Sequence, residues 1–140
     1  MFEEMEKTFE LHGVDLAGYS PLTLAYIGDC VYELIIRTIF VYRGNAPVDK
    51  LNRKASSLAK ASAQSAMIEA LLGRLTEEEQ SVYRRGRNAH FHTRAKNATV
   101  RDYKRATGFE ALIGYLYLGK RFDRIMELVK AGIEAVGSDA

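Results

Sequence analysis

Along most of this chain the apolar residues recur at three- and four-residue spacings, the period of a helix buried on one side. No alternating strand pattern of useful length interrupts them, so an all-α fold is predicted. The first fifteen residues read as a short acidic lead-in. Ser20-Pro21 predicts a helix start, since Ser can cap and Pro suits the first helical position. From Leu22 to Tyr42 the chain is nearly continuously apolar, ending at Arg43-Gly44, where Gly can take the left-handed conformation that closes helices. A helix this apolar on most sides belongs in the middle of the fold. Pro47 opens a second helical stretch, with Leu51, Ala55, Leu58 and Ala59 on one face. A third, from Ala61 to Leu72, carries Ala63, Ala66, Met67, Ala70 and Leu71 and ends at Gly73. Thr76 followed by Glu79 makes a capping box, and the helix it starts runs into an arginine cluster. Around His90 to Asn97 the periodicity vanishes, which predicts a loop. Thr99 to Leu118 is the next helix, with Gly119 as its stop. Phe122, Ile125, Met126, Val129 and Ile133 give a last amphipathic helix. The expected architecture places two apolar helices at the centre of a single domain over residues 1–140.

Composition narrows the function classes. At 140 residues there is room for one core, and 47% hydrophobic with 27% charged residues is ordinary for a globular domain. One cysteine, Cys30, excludes an internal disulfide framework and a multi-cysteine zinc site. Following Asp29 in an apolar helix, Cys30 is expected in the core. The acidic start differs from the basic start of a secretory or transit signal. The longest charge-free apolar stretch, Ala111 to Gly119, is about half of what spans a membrane. A cytoplasmic protein with no membrane partner is the expectation.

The net charge of +2 conceals an asymmetry. Between Arg84 and Arg105 stand eight basic side chains against Asp102 alone, a local charge of +7 that leaves −5 on the rest. Such a patch points to a polyanion, most often nucleic acid, where a solvated charged face is the plainer reading. Arg84, Arg85, Arg87, Arg94, Lys96, Arg101 and Lys104, with Asn88 and Asn97 as neutral donors, are the candidate nucleic-acid contacts. His90 and His92 read as surface loop residues, since His is a poor magnesium ligand and no further His or Cys lies nearby.

The acids inside apolar helices carry the chemistry. Between Leu24 and Tyr42 the only charges are Asp29, Glu33 and Arg37, four apart and therefore on one stripe. Arg37 can serve Glu33, whereas Asp29 has no local partner. Glu110 stands in Gly108 to Leu118 with no other charge from Thr107 to Gly119. Burying an unpaired carboxylate costs several kcal/mol, so such groups are normally paired or bound to metal. Asp29 could cap a neighbouring helix, and Glu110 could pair with an arginine or face solvent. The alternative is one cation shared between them, and oxygen ligands of this kind suit magnesium.

Two segments then carry a resemblance. LAYIGDCVYEL, from Leu24 to Leu34, resembles the signature Leu-Glu-Phe-Leu-Gly-Asp-x-Val-x-Glu-Leu of the ribonuclease III family. GFEALIGYLYL, from Gly108 to Leu118, resembles that family's second catalytic segment, Phe-Glu-Ala-Leu-Ile-Gly-x-x-Tyr-Leu. Order and separation agree as well, and the likeness extends over almost the whole chain. It implies a compact helical ribonuclease III-type endonuclease domain. By resemblance Asp29 and Glu110 take the places of the family's two essential metal-binding carboxylates, with Mg2+ as cofactor. Tyr26 falls where the family has an aromatic of the dimer interface, the alternative being monomer core. Glu33 matches the pattern too, but its partner Arg37 favours a structural role. The chain departs from the family where acids are usual, carrying Ala25 and Thr107 instead, which casts doubt on a second tightly held ion. Larger members append a double-stranded-RNA-binding domain for which this length leaves no room, so grip is expected from the basic segment before Glu110. The short branch of the family has this form.

The resemblance thus implies a homodimeric endoribonuclease. Each site would hydrolyse one strand of double-stranded RNA with a magnesium-activated water, leaving 5′-phosphate and 3′-hydroxyl ends. The large-subunit (23S) ribosomal RNA precursor is the implied substrate, and a ribosomal protein is a further candidate partner. The competing reading is a non-catalytic RNA-binding or ribosome-associated scaffold that kept the fold and lost two acids. A helical DNA-binding regulator is a more distant third.

Overall fold

The computed structural model describes residues 1–90 and 99–138, and every regular element among them is a helix. In chain order they are α1 (Phe2–Thr8), α2 (Pro21–Arg43), α3 (Val48–Ala59), α4 (Ala61–Leu71), α5 (Glu77–Arg87), α6 (Val100–Leu118) and α7 (Phe122–Ala135). Short 3-10 turns lie at Leu16–Gly18 and Leu72–Arg74. The predicted 90–97 loop lies, from Phe91 onward, outside the described residues. None of the described helices is long and apolar enough to cross a membrane.

Local chemistry explains the boundaries. Ser20 Oγ accepts the Thr23 N–H at 3.2 Å, and Pro21 occupies the first turn of α2. At the other end Gly44 is extended, φ 164° and ψ 140°, and not left-handed as the sequence suggested. The extended backbone leads into the short link before Pro47, after which α3 packs back against α2. At α5 both halves of the capping box form: Thr76 N–H donates to Glu79 Oε1 at 2.9 Å, and Glu79 N–H to Thr76 Oγ1 at 3.1 Å. Glu79 also receives Arg124 of α7 through Nε and Nη2, at 2.9 and 2.8 Å. Arg124 in turn donates to the Arg74 carbonyl. Its guanidinium holds the Glu79 carboxyl below the usual range and fastens α5 to α7.

Helix α6 is the fully wrapped element, with Phe109, Ala111, Leu112 and Ile113 without exposed surface. It packs against α2, α5, α4 and α7. Helix α2 is its principal partner but is covered on one side only. Leu24, Tyr32 and Ile36 are buried, while Leu22, Tyr26, Leu34, Val41 and Tyr42 are exposed. Its apolar excess therefore serves two faces, one inside the chain and one at its surface. Helix α4 is rotated relative to its sequence expectation. Gln64, Ser65, Met67, Ile68 and Leu71 are buried, whereas Ala66 and Ala70 face solvent. Alanine is apolar enough to enter a periodic pattern yet small enough to be left outside without cost. The acidic lead-in holds α1, whose apolar residues within the helix are only Phe2 and Met5. It docks through Phe2, whose ring centroid lies 4.9 Å from Tyr117 and 5.6 Å from Phe122, and through a Lys120–Glu6 ion pair at 2.8 Å.

The α2–α6 crossing is a backbone contact. A Cβ built on Gly28 would stand 1.8 Å from the Glu110 carbonyl oxygen, and one on Gly114 would stand 1.9 Å from that of Leu24. Helix α5 meets α6 the same way, since a Cβ on Gly86 would lie 2.9 Å from Gly108 Cα. At Gly28 and Gly114 the obstruction is main chain, and at Gly86 the nearest atom is the Ala111 Cβ at 2.8 Å, which no rotation moves aside. Gly114→Ala should cost roughly 3 kcal/mol or more, the upper end of what overpacking does. Gly73→Ala, where nothing lies within 4 Å, should stay within about 0.5 kcal/mol. Urea unfolding followed by circular dichroism checks both, and equal effects would contradict the crossing as described.

Candidate active site

The α2–α6 contact sets two acids beside each other. Gly28, one residue before Asp29, packs on the carbonyl of Glu110 itself, so the two side chains leave a shared point of backbone contact. They open into one cleft of about 530 Å³, whose lining includes Ala25, Tyr26, Asp29, Cys30, Glu33, Tyr103, Thr107 and Glu110. Asp29 is exposed at its mouth and Glu110 lies deeper, partly buried. Burial pushes the Glu110 carboxyl up to about 9, and Asp29 adds to the rise by hydrogen bond and charge; Glu33 contributes a smaller electrostatic push. Gln64 on α4 opposes it, donating from Nε2 to Glu110 Oε2 at 3.4 Å. Among the described residues no ion pair reaches Glu110. An arginine partner, one of the readings the sequence left open, is not found among the described residues.

The donor set decides which ion would suit this cleft. It offers carboxylate oxygens, and among the described residues no group of three or more His, Cys, Asp or Glu is placed to surround a metal. Magnesium keeps several waters and is held by one or two carboxylates, so a two-acid cleft open to solvent fits it, whereas a zinc cage does not. Ala25 and Thr107, at the positions of the two missing acids, both line the cleft. Thr107 turns its hydroxyl to the Tyr103 carbonyl at 3.0 Å.

The neighbouring residues fall into different groups. Glu33 pairs with Arg37 at 3.3 Å along α2, as the four-residue spacing suggested. Cys30 is exposed in the cleft and not in the core, because α2 turns that side outward. Tyr26 is 82% exposed, which excludes a place in the monomer core. Arg84, Arg85, Asn88 and His90 at the end of α5 are exposed, as are Arg101 and Lys104 at the start of α6. Arg85 donates to the Tyr19 carbonyl at 3.3 Å and so also ties α5 to the chain before α2. The Arg87 guanidinium lies 5.6 Å from the Tyr83 ring centroid, and its Nε donates to Asn88 Oδ1. Arg105 is engaged by Glu69 at 3.0 Å. His92, Arg94, Lys96 and Asn97 lie outside the described residues. Sequence reasoning passed over Gln64 and Tyr103. Gln64 had a signal, since it shares the i, i+4, i+7 stripe of Ile68 and Leu71.

The Ribonuclease III domain matches residues 22–121, from the start of α2 to just past α6. The chain belongs to the ribonuclease III domain family. Among curated relatives it is 48% identical over 117 residues to the Mini-ribonuclease 3 of Clostridium tetani, covering 83% of this chain and 78% of that protein. It is 47% identical over 125 residues to the Mini-ribonuclease 3 of Enterococcus faecalis, covering 88% and 95%. The crystal structure of a protein from Fusobacterium nucleatum superposes with a TM-score of 0.78 at 32% identity, over 84% of this chain and 95% of that one.

The raised Glu110 has a thermodynamic signature. Between about 4.5 and about 9 the folded chain holds a proton that the unfolded chain has released, so folding stability falls as pH rises through that window. Glu110→Gln removes the slope. In chelator at pH 8 the variant should be more stable than wild type by at least about 1 kcal/mol, several degrees in Tm. The difference should vanish near pH 4. Thermal melts across that range check it, and a variant less stable at pH 8 would show that the carboxylate is satisfied as an anion.

Proposed function

We propose that this chain is an endoribonuclease of double-stranded RNA that works as a homodimer and requires Mg2+ held by Asp29 and Glu110. The observation that carries the reading is the pair itself: two carboxylates in one open cleft, the deeper one strongly disfavoured as a lone anion. The family to which the chain belongs and its relatives named Mini-ribonuclease 3 support the same activity. When bound, the ion supplies a water of lowered pKa and offsets negative charge on the phosphate. Asp29 at the mouth and Glu110 behind it would hold it from one side, leaving the solvent side to waters and RNA phosphate. The rigid α2–α6 crossing fixes both acids without an ordering step on binding. Products would carry 5′-phosphate and 3′-hydroxyl ends.

Arg84 and Arg85 at the end of α5 are exposed, as are Arg101 and Lys104 on α6, the helix that also carries Tyr103, Thr107 and Glu110. They supply the charge for phosphate contacts, and A-form RNA is recognised through phosphates and 2′-hydroxyls. Tyr26 supports the dimer. It is exposed on the apolar side of α2 with Leu22 and Leu34, and it also borders the catalytic cleft, so a partner seated there would flank each site. Two-fold symmetry suits a duplex whose strands are related by local dyads. The precursor of 23S ribosomal RNA is the substrate we propose, with a ribosomal protein as a further partner. The scaffold reading draws on Ala25 and Thr107, which leave the cleft two acids short of the family's usual set.

Incubation with a long RNA duplex separates the readings. Wild type should shorten it only with Mg2+, and Asp29→Asn or Glu110→Gln should slow cleavage by about 100-fold or more, the scale of a lost metal contact. An intact but gel-shifted duplex in every metal would establish the scaffold instead. Tyr26→Glu should convert the species seen by light scattering from dimer to monomer with helicity retained. A dimer that persists would move the interface elsewhere.

A further inference from the structure

Gln64 is 2% exposed, on a helix that supplies neither of the paired acids. Its Nε2 donates to the Ala59 carbonyl at 2.8 Å and to Glu110 Oε2 at 3.4 Å. Its Oε1 is buried and has no hydrogen-bond partner among the described residues. Oxygen and nitrogen of an amide are assigned from their surroundings, and here the surroundings decide. Ala59 C=O can only accept, so the side of Gln64 that faces it must be the NH2 group. The same NH2 group is thereby presented to Glu110. An orphaned buried oxygen costs stability, so the position bears a polar group at a cost the packing alone does not require. The NH2 group has two partners, the Ala59 carbonyl that anchors it and Glu110, and of the two only Glu110 lines the cleft.

We propose that Gln64 is the positioning residue of the metal site, an amide anchored on the α3–α4 corner that grips one oxygen of Glu110 and leaves the other turned to Asp29. This rests on the reading of Asp29 and Glu110 as Mg2+ ligands. A donor at this point favours the carboxylate form that binds a cation, and it fixes the side-chain rotation, as hydrogen-bond partners of metal ligands generally do. Two further readings of Gln64 make different demands. A packing residue would be replaceable only at a loss of stability. A substrate contact would have to reach solvent, which 2% exposure denies.

The test uses Gln64→Met, which keeps length and loses the donor, and Gln64→Glu, which puts an acceptor where the donor was. Binding of Mg2+ and of Mn2+ is measured by titration calorimetry without RNA, beside wild type, with Tm in chelator and steady-state cleavage across Mg2+ concentrations. For Gln64→Met the expected result is metal affinity weaker by about 10-fold or more, with helicity retained and Tm lowered by no more than a few degrees, the scale of the lost hydrogen bond to the Ala59 carbonyl. The Mg2+ concentration for half-maximal cleavage should rise by the same factor, while KM for the duplex at saturating Mg2+ stays within twofold. Gln64→Glu should bind metal no better than Gln64→Met if the donor is what matters. Affinity within twofold of wild type for Gln64→Met overturns the proposal, as does a parallel loss of Tm and helicity in both variants, which would make Gln64 a packing residue. If wild type itself binds neither ion, the metal reading fails first and this inference falls with it.

Discussion

Everything that gives this protein a site follows from one steric condition, the contact of two helix backbones with no side chain between them. At Gly28 and Gly114 a single methyl group would stand under 2 Å from a carbonyl oxygen of the opposite helix. Helices normally pack at 8–10 Å through interdigitated side chains, and glycines are what permit a closer approach. The closeness has a direct chemical consequence. The carbonyl against which Gly28 rests belongs to Glu110, and the residue after Gly28 is Asp29. The contact that fixes the crossing thus also fixes the pair of acids. The second close approach, Gly86 on Gly108, brings the arginine-bearing end of α5 alongside the same stretch of α6.

That arrangement explains what the sequence could disclose. Helix starts were legible wherever capping chemistry is local, as at Ser20 and Thr76. The paired acids were legible because a lone charge in an apolar helix is conspicuous at any fold. What the sequence could not disclose depended on which side of each helix meets a neighbour. An alanine-rich helix such as α4 offers several apolar faces, so burial of Gln64 with exposure of Ala66 and Ala70 is set by tertiary packing. Helix α2 misled in the other direction. Its continuous apolar run suggested burial all round and placed Cys30 in the core, yet one side is surface. Hydrophobicity reports that a face will be covered and not by which chain. The α1 helix was hidden because Phe2 gains its place through Tyr117 and Phe122, more than a hundred residues away.

Two glutamates show how environment separates structure from function in this chain. Glu79 is 5% exposed, yet it caps its own helix and takes two hydrogen bonds from Arg124. Its carboxyl is held low, and the charge strengthens the joint between α5 and α7. At Glu110 burial is the largest cause of a carboxyl pushed up to about 9, and the neighbouring acids Asp29 and Glu33 add to it. At Glu79 burial acts in the same direction but the Arg124 guanidinium outweighs it. A cationic partner separates the two outcomes. A fold selected for stability alone would resolve Glu110 as it resolved Glu79, with a guanidinium from a neighbouring helix. Of the neighbouring arginines, Arg85 on α5 is tied to the Tyr19 carbonyl and Arg105 on α6 is turned to Glu69. Among the described residues no cationic side chain reaches Glu110, which keeps its environment suited to a divalent cation that an arginine in place would exclude.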